Sequence, residues 1–289
     1  MLDQIKSGQG FIAALDQSGG STPGALKGYG VADDAYAGDD EMFAAIHAMR
    51  TRIITSPCFN GDKVIGAILF EKTMDGDADG EPVPQALWKR GVVPFLKVDK
   101  GLEDEADGVK LMKPMPGLDA LCTRAVEQGV FGTKMRSVIE RASPNGIAAI
   151  VKQQFDVAAQ ISGHGLMPII EPEVSIKSPE RAECDVILRD EALKALDAMG
   201  EGQVMLKLTL PAEANLFAPL VDHPRVLRVV ALSGGFSRAE ACRQLAQNRG
   251  MIASFSRALL SDLRHQMSDQ EFDGALRTAI DDIHGASVA

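Results

Sequence analysis

The chain has 289 residues, 45% of them hydrophobic and 24% charged, which is enough apolar material for one large domain or two modest ones. A formal net charge of −10 argues against a nucleic-acid partner, which calls for a basic patch, and requires any anionic ligand to be held by local cations. Residues Met1 to Lys6 lack a basic-then-apolar leader, and no apolar run approaches the ~20 residues that span a bilayer. The four cysteines contain no C-x-x-C pair, so a soluble, cytoplasmic protein without membrane contact, disulfides or a zinc cage is expected.

In chain order, strand-like segments are predicted at Phe11–Leu15, Ile65–Phe70, Val92–Leu96, Phe131–Val138, Leu166–Ile170, Val204–Leu208, Arg228–Leu232 and Met251–Phe255. Helical spacing falls between them, at Met42–Ile54, Leu118–Gln128, Gly146–Ser162, Arg189–Met199, Arg238–Gln247 and Leu259–Met267, with a last helix from Asp269 to about Ile283. Eight short apolar strands alternating with helices predict a single-domain α/β chain, a (β/α)8 TIM barrel over residues 1–289. A doubly wound open sheet is the alternative, since periodicity does not show closure. Residues 17–64 are long for one connection and are expected to carry extra helices between the first two strands, whereas residues 72–90 read as a polar, turn-rich loop.

Charged or hydroxyl residues stand where apolar runs end. Lys207, inside Val204-Met205-Leu206-Lys207-Leu208-Thr209, is the strongest anomaly, because burying an ammonium is costly unless it is paired or used. A desolvated amine can attack a carbonyl to form a Schiff base. Asp16, Lys97, Lys134, Arg136, Glu171 and Ser233 close other strands. Alternate strand residues share a face, so Lys134 and Arg136 can point together, as can Glu171 and Glu173. Strand C-terminal ends form the active face of such barrels, so the set reads as one site and not as separate rim ion pairs. Ser233-Gly234-Gly235 with Arg257, and Ser18 and Ser21 in Asp16-Gln17-Ser18-Gly19-Gly20-Ser21 with Lys97, make two phosphate-grade clusters. Two such clusters flanking a Schiff-base lysine point to a sugar bisphosphate.

No metal or other cofactor is expected. The five histidines show no ligand spacing. Asp75-x-Asp77-x-Asp79-Gly80 opens like a calcium loop, but Ala86 stands where the bidentate glutamate belongs and no helix is expected before it; it reads as a solvated loop.

The motifs in this order resemble the class I, Schiff-base fructose-bisphosphate aldolases, from about residue 10 to residue 260. The resemblance is carried by Ala13-Ala14-Leu15-Asp16-Gln17-Ser18-Gly19-Gly20-Ser21, Ile68-Leu69-Phe70-Glu71, Leu96-Lys97-Val98-Asp99-Lys100-Gly101, Lys134-Met135-Arg136, Glu171-Pro172-Glu173, Leu206-Lys207, Leu232-Ser233-Gly234-Gly235 and Ser254-Phe255-Ser256-Arg257. It implies that Lys207 attacks the C2 ketone of fructose 1,6-bisphosphate and that Lys134 keeps Lys207 neutral by like-charge proximity. Glu171 would be the acid–base of Schiff-base formation, with Asp16 and Glu173 relaying protons in C3–C4 cleavage. Ser233, Gly234, Gly235 and Arg257 would hold the C1 phosphate, Ser18, Ser21 and Lys97 the C6 phosphate, and Arg136 would bind substrate from the Lys134 face. The sequence looks like the short bacterial branch: it ends Ala286-Ser287-Val288-Ala289 without the tyrosine that assists enamine protonation in animal members, leaving water, Glu171 or Glu173 for that step. An aldolase for a related ketose such as tagatose 1,6-bisphosphate, and a non-catalytic phosphosugar-binding scaffold, are the rival readings. Homo-oligomerisation stays open, since no interface is legible.

Overall fold

The computed structural model describes residues 1–289, and eight parallel strands run side by side in chain order. They are β1 (Phe11–Leu15), β2 (Val64–Leu69), β3 (Val93–Lys97), β4 (Gly132–Ile139), β5 (Met167–Val174), β6 (Val204–Thr209), β7 (Val226–Leu232) and β8 (Met251–Ala253). Every neighbouring pair from β1 to β8 is hydrogen-bonded and parallel. β8 returns beside β1, where one backbone bond, Ala14 N–H to the Phe255 carbonyl at 3.1 Å, bridges them. The result is a nearly closed (β/α)8 barrel rather than the open doubly wound sheet.

Alternation divides the strand side chains between two cores. Ile12, Ala14, Ile68, Val93, Phe95, Ile169, Met205, Val230 and Ile252 pack together inside the barrel. Gly132 leaves room for the Phe95 ring, because a Cβ there would lie 2.9 Å from it. A short helix, α1 (Leu2–Ser7), closes the N-terminal end of the barrel by inserting Ile5 into this inner cluster. The larger outer core lies between strands and helices.

The long first connection carries α2 (Thr22–Tyr29) and α3 (Gly38–Thr55), as its length predicts. The loop at 72–90 is more ordered than expected. It opens with one turn of helix, α4 (Glu71–Met74), pairs Asp77–Ala78 with Glu81–Pro82 in a hairpin, and ends in α5 (Val83–Lys89). Asp79 takes φ 54° in that hairpin turn, so the Asp-x-Asp-x-Asp-Gly run builds a turn, although a helical turn does precede it.

The later helices are α6 (Leu118–Glu127), α7 (Pro144–Gly163), α8 (Arg181–Ala198), α9 (Ala218–Val221), α10 (Arg238–Leu245), α11 (Arg257–Leu260) and α12 (Asp269–Ser287). Two depart from expectation. α8 begins eight residues before Arg189, because Cys184, Leu188, Ala192 and Leu196 repeat every fourth position on its buried face. The helix expected at Leu259–Met267 stops at Leu260. Beyond it the chain is drawn onto α2, with His265 N–H donating to the Tyr29 carbonyl at 2.7 Å and Gln266 Nε2 to the Gly30 carbonyl at 3.0 Å. No helix is long and apolar enough to cross a membrane.

Candidate active site

Toward the C-terminal mouth the inner apolar layer gives way to charged residues two positions farther along the chain. Ala14 leads to Asp16, Phe95 to Lys97, Gly132 to Lys134, Ile169 to Glu171 and Met205 to Lys207, each a step of two along its strand. Barrel stagger brings them onto one floor at the C-terminal mouth.

At its centre is a chain of alternating charge. Lys134 Nζ lies 2.7 Å from Asp16 Oδ2 and 2.9 Å from Glu171 Oε2, and Lys207 Nζ lies 3.0 Å from Glu171 Oε1. Lys134, Glu171 and Lys207 are all buried. The Lys134–Glu171 contact is an ion pair without an aligned hydrogen bond. Glu171 is held from behind as well, since its backbone N–H donates to Gln154 Oε1 at 2.9 Å, and the Gln154 amide in turn donates to Ser137 Oγ.

Burial and charge pull these groups in opposite directions, and charge wins. Burial alone would raise the Asp16 carboxyl, but Lys134, Lys207 and Lys97 hold it far below the usual carboxylate range. Burial likewise opposes ionisation of Glu171, which the cations of Lys134 and then Lys207 override, leaving it below its ordinary value. Lys134 is pushed the other way: burial would lower it, but Asp16, Glu171 and Asp99 raise it above the ordinary lysine range. Lys134 is thus a fixed cation, and the Glu171 carboxylate stands between it and Lys207, 2.9 Å from one ammonium nitrogen and 3.0 Å from the other.

The remaining predicted residues surround this chain, several of them already engaged. Arg136 pairs with Glu173 one step farther along the strands; burial would lower the guanidinium, but Glu173 raises it. Lys97 Nζ donates to the Asp99 carbonyl at 2.7 Å and lies 2.9 Å from Asp99 Oδ1. Ser18 and Ser21 sit in one 3-10 turn, where Ser21 Oγ accepts from Ser18 N–H at 3.0 Å and donates to the Ser18 carbonyl at 2.9 Å. A phosphate there would compete with that capping box. Ser233 is buried, and Gly234 and Gly235 take φ of 58° and 118°, a left-handed turn that side chains rarely adopt. A Cβ on Gly235 would stand 3.4 Å from Arg257 Nη2, so the guanidinium faces this turn directly. Arg257 is exposed.

Three participants escaped the sequence reading. Arg50, on α3, is fully buried; its Nη1 donates to Thr73 Oγ1 at 2.7 Å and its Nη2 to the Gln17 carbonyl. Burial pushes it down to about 10 against the supporting charge of Asp16. The available signal was its place on the apolar face with Ile46, Met49, Ile53 and Ile54. Gln17 and Asp99 lay inside quoted motifs, but only tertiary contacts distinguish them from their neighbours. No group of three or more His, Cys, Asp or Glu side chains is gathered as a metal site.

The family model for fructose-bisphosphate aldolase class-I matches residues 5–219. The chain belongs to the class I fructose-bisphosphate aldolase family. It is 56% identical to a fructose-bisphosphate aldolase class 1 from Synechocystis sp. (strain ATCC 27184 / PCC 6803 / Kazusa), over 99% of this chain and 96% of that protein. That similarity extends past the family match, over the segments that hold Ser233 and Arg257. A crystal structure of fructose-bisphosphate aldolase from Plasmodium falciparum, in complex with TRAP and a small-molecule inhibitor, superposes with a TM-score of 0.81 over 99% of this chain and 92% of that one. At 21% identity it speaks for the barrel fold alone.

Proposed function

We infer that this class I aldolase cleaves fructose 1,6-bisphosphate reversibly to dihydroxyacetone phosphate and glyceraldehyde 3-phosphate, with Lys207 as the Schiff-base nucleophile. The observation that carries the lysine assignment is the buried chain Lys207–Glu171–Lys134–Asp16 at the strand ends.

Glu171, 3.0 Å from Lys207, accepts the ammonium proton and frees the amine to attack C2. Glu171 is held ionised in the resting site, so the proton it later returns to the carbinolamine hydroxyl is the one it took from Lys207. Water leaves and the iminium forms. Asp16, ionised beside Lys134, takes the proton of the C4 hydroxyl; the C3–C4 bond breaks, and its electron pair moves into the iminium to give the enamine. The aldehyde product departs, C3 is protonated, and hydrolysis of the iminium releases dihydroxyacetone phosphate and restores Lys207. Lys134 remains charged throughout and stabilises both carboxylates in their ionised forms. Glu173, paired with Arg136, orients substrate at the mouth. Ser233, Gly234, Gly235 and Arg257 take the C1 phosphate; Ser18, Ser21 and Lys97 take the C6 phosphate.

The reading treats residues 1–289 as one metal-independent, cytoplasmic catalytic domain. Four free cysteines suit a reducing compartment. The test is borohydride reduction with fructose 1,6-bisphosphate in EDTA, followed by peptide mapping. A stable adduct on Lys207 is expected. Cleavage abolished by EDTA with no adduct would refute the lysine route.

A further inference from the structure

The barrel seam opens beside Arg257, and a side chain occupies the opening. In a parallel ladder, the residue that donates its N–H to one carbonyl accepts at its own carbonyl from the N–H two residues farther along the partner. Ala14 donates to the Phe255 carbonyl, so its own carbonyl should receive the N–H of Arg257. It receives Gln17 Nε2 instead, at 3.2 Å. The same nitrogen donates to Ser256 Oγ, so both amide hydrogens are used, one on each side of the seam. On the other strand, Ala253 N–H, which also faces the seam, donates to Ser287 Oγ at 3.0 Å. Released from the ladder, the chain turns sharply at Ser256 (φ −106°, ψ −80°), and Arg257 swings over the Gly235 turn.

Gln17 is held from the opposite side. Arg50 Nη2 donates to the Gln17 carbonyl and lies 3.4 Å from Gln17 Oε1. Its other branch is anchored on Thr73, and the residue is fully buried. This fork fixes which end of the Gln17 amide faces the seam: oxygen toward the guanidinium, nitrogen toward Ala14 and Ser256. A carboxylate at position 17 could meet Arg50, but it would set an acceptor against the Ala14 carbonyl.

We propose that Arg50, Gln17 and Ser256 are positioning residues that latch the barrel seam and thereby aim Arg257 at the substrate phosphate. The proposal rests on the assignment of Arg257 to the C1 phosphate. It separates the latch from Asp16, which immediately precedes Gln17 but is held by Lys134. Losing the latch should therefore weaken phosphate binding while leaving bond cleavage largely intact.

The test uses the full-length chain with Gln17→Glu and Ser256→Ala. Both side chains are only half-buried, so the variants are expected to fold. KM for fructose 1,6-bisphosphate and the inhibition constant of dihydroxyacetone phosphate should rise together by about tenfold, with kcat within about twofold. KM for glyceraldehyde 3-phosphate in the condensation direction, which lacks the C1 phosphate, should not move. Arg50→Lys keeps the charge but loses the fork and should reproduce the same split. Unchanged constants in both principal variants would overturn the proposal. So would a matched loss for both triose phosphates, or a fall in kcat accompanied by a lower melting temperature, since either marks a merely structural role. Borohydride trapping on Lys207 in the unmodified enzyme is scored separately: its absence would refute the Schiff-base reading without touching the latch.

Discussion

Replacing Lys134 by methionine keeps the side-chain length and removes the charge on which two buried carboxylates depend. Lys134, only 4% exposed, lies 2.7 Å from Asp16 and 2.9 Å from Glu171, and those carboxylates are 11% and 4% exposed. Breaking a buried pair by removing one partner costs about 3–5 kcal/mol. For a chain of this size that lowers the melting temperature by roughly 5–8 °C. The loss depends on pH. In the native site both carboxyls are held below their unfolded values, so their contribution is present above about pH 4 and fades as pH falls through the depressed folded values. Without Lys134, burial is opposed only by Lys207 and the more distant cations, and the folded values rise. The variant then gains protons on folding and loses stability as pH increases, so the gap from wild type is widest near about pH 8 and closes toward about pH 4. The acid limb of the rate profile should move to higher pH, with kcat down by about 10²–10⁴. Thermal unfolding and initial rates across the pH range, measured on both proteins, check both consequences. A stability gap independent of pH together with an unmoved acid limb would refute the view that Lys134 sets the charge state of this site.

Glu171→Gln removes the acceptor next to Lys207 and should lower both the trapping rate by borohydride and kcat by about 10²–10⁴, read by single-turnover mass spectrometry and steady-state rates. Gly235→Ala puts a side chain at φ 118° and a methyl against Arg257, so KM for the bisphosphate should rise by about tenfold or more, with fructose 1-phosphate affected alike because it keeps the same phosphate. Away from the site, burial raises Asp185 to about 6 despite the Ala212 N–H that donates to it at 2.8 Å, and its second oxygen has no partner. A raised carboxyl costs stability above its unfolded value, so Asp185→Asn should stabilise the fold by about 1–2 kcal/mol near pH 8 and by almost nothing near pH 4, as differential scanning calorimetry would show. A destabilised variant at the higher pH would count against that reading.

Most of the central constellation was legible in the linear chain because charged residues that interrupt or close apolar strand runs stand out, and in a parallel barrel they collect at one mouth. Asp16, Lys97, Lys134, Glu171 and Lys207 could be gathered on that ground before any contact was known, and the period of two added that Arg136 shares a face with Lys134 and Glu173 with Glu171. Helix starts and ends were less legible: α8 grew past its expected start, and the helix at Leu259–Met267 shrank to one turn, because hydrogen bonds to Tyr29 and Gly30 compete with the helical ladder. Arg50 was passed over because an arginine on a helix ordinarily projects into water; its burial depends on Gln17 and Thr73, 33 and 23 residues away in the chain.

The sequence by itself determined the strand alternation, the residue types at the mouth of the barrel and the family they resemble, because these follow from local spacing and composition. Tertiary structure alone decided that Glu171 stands between the two lysines, that Lys97 and Ser21 are already engaged, and that Gln17 replaces a rung at the seam. Those facts depend on distances between strands far apart in the chain, where the charge state of a buried group is set by its neighbours in space.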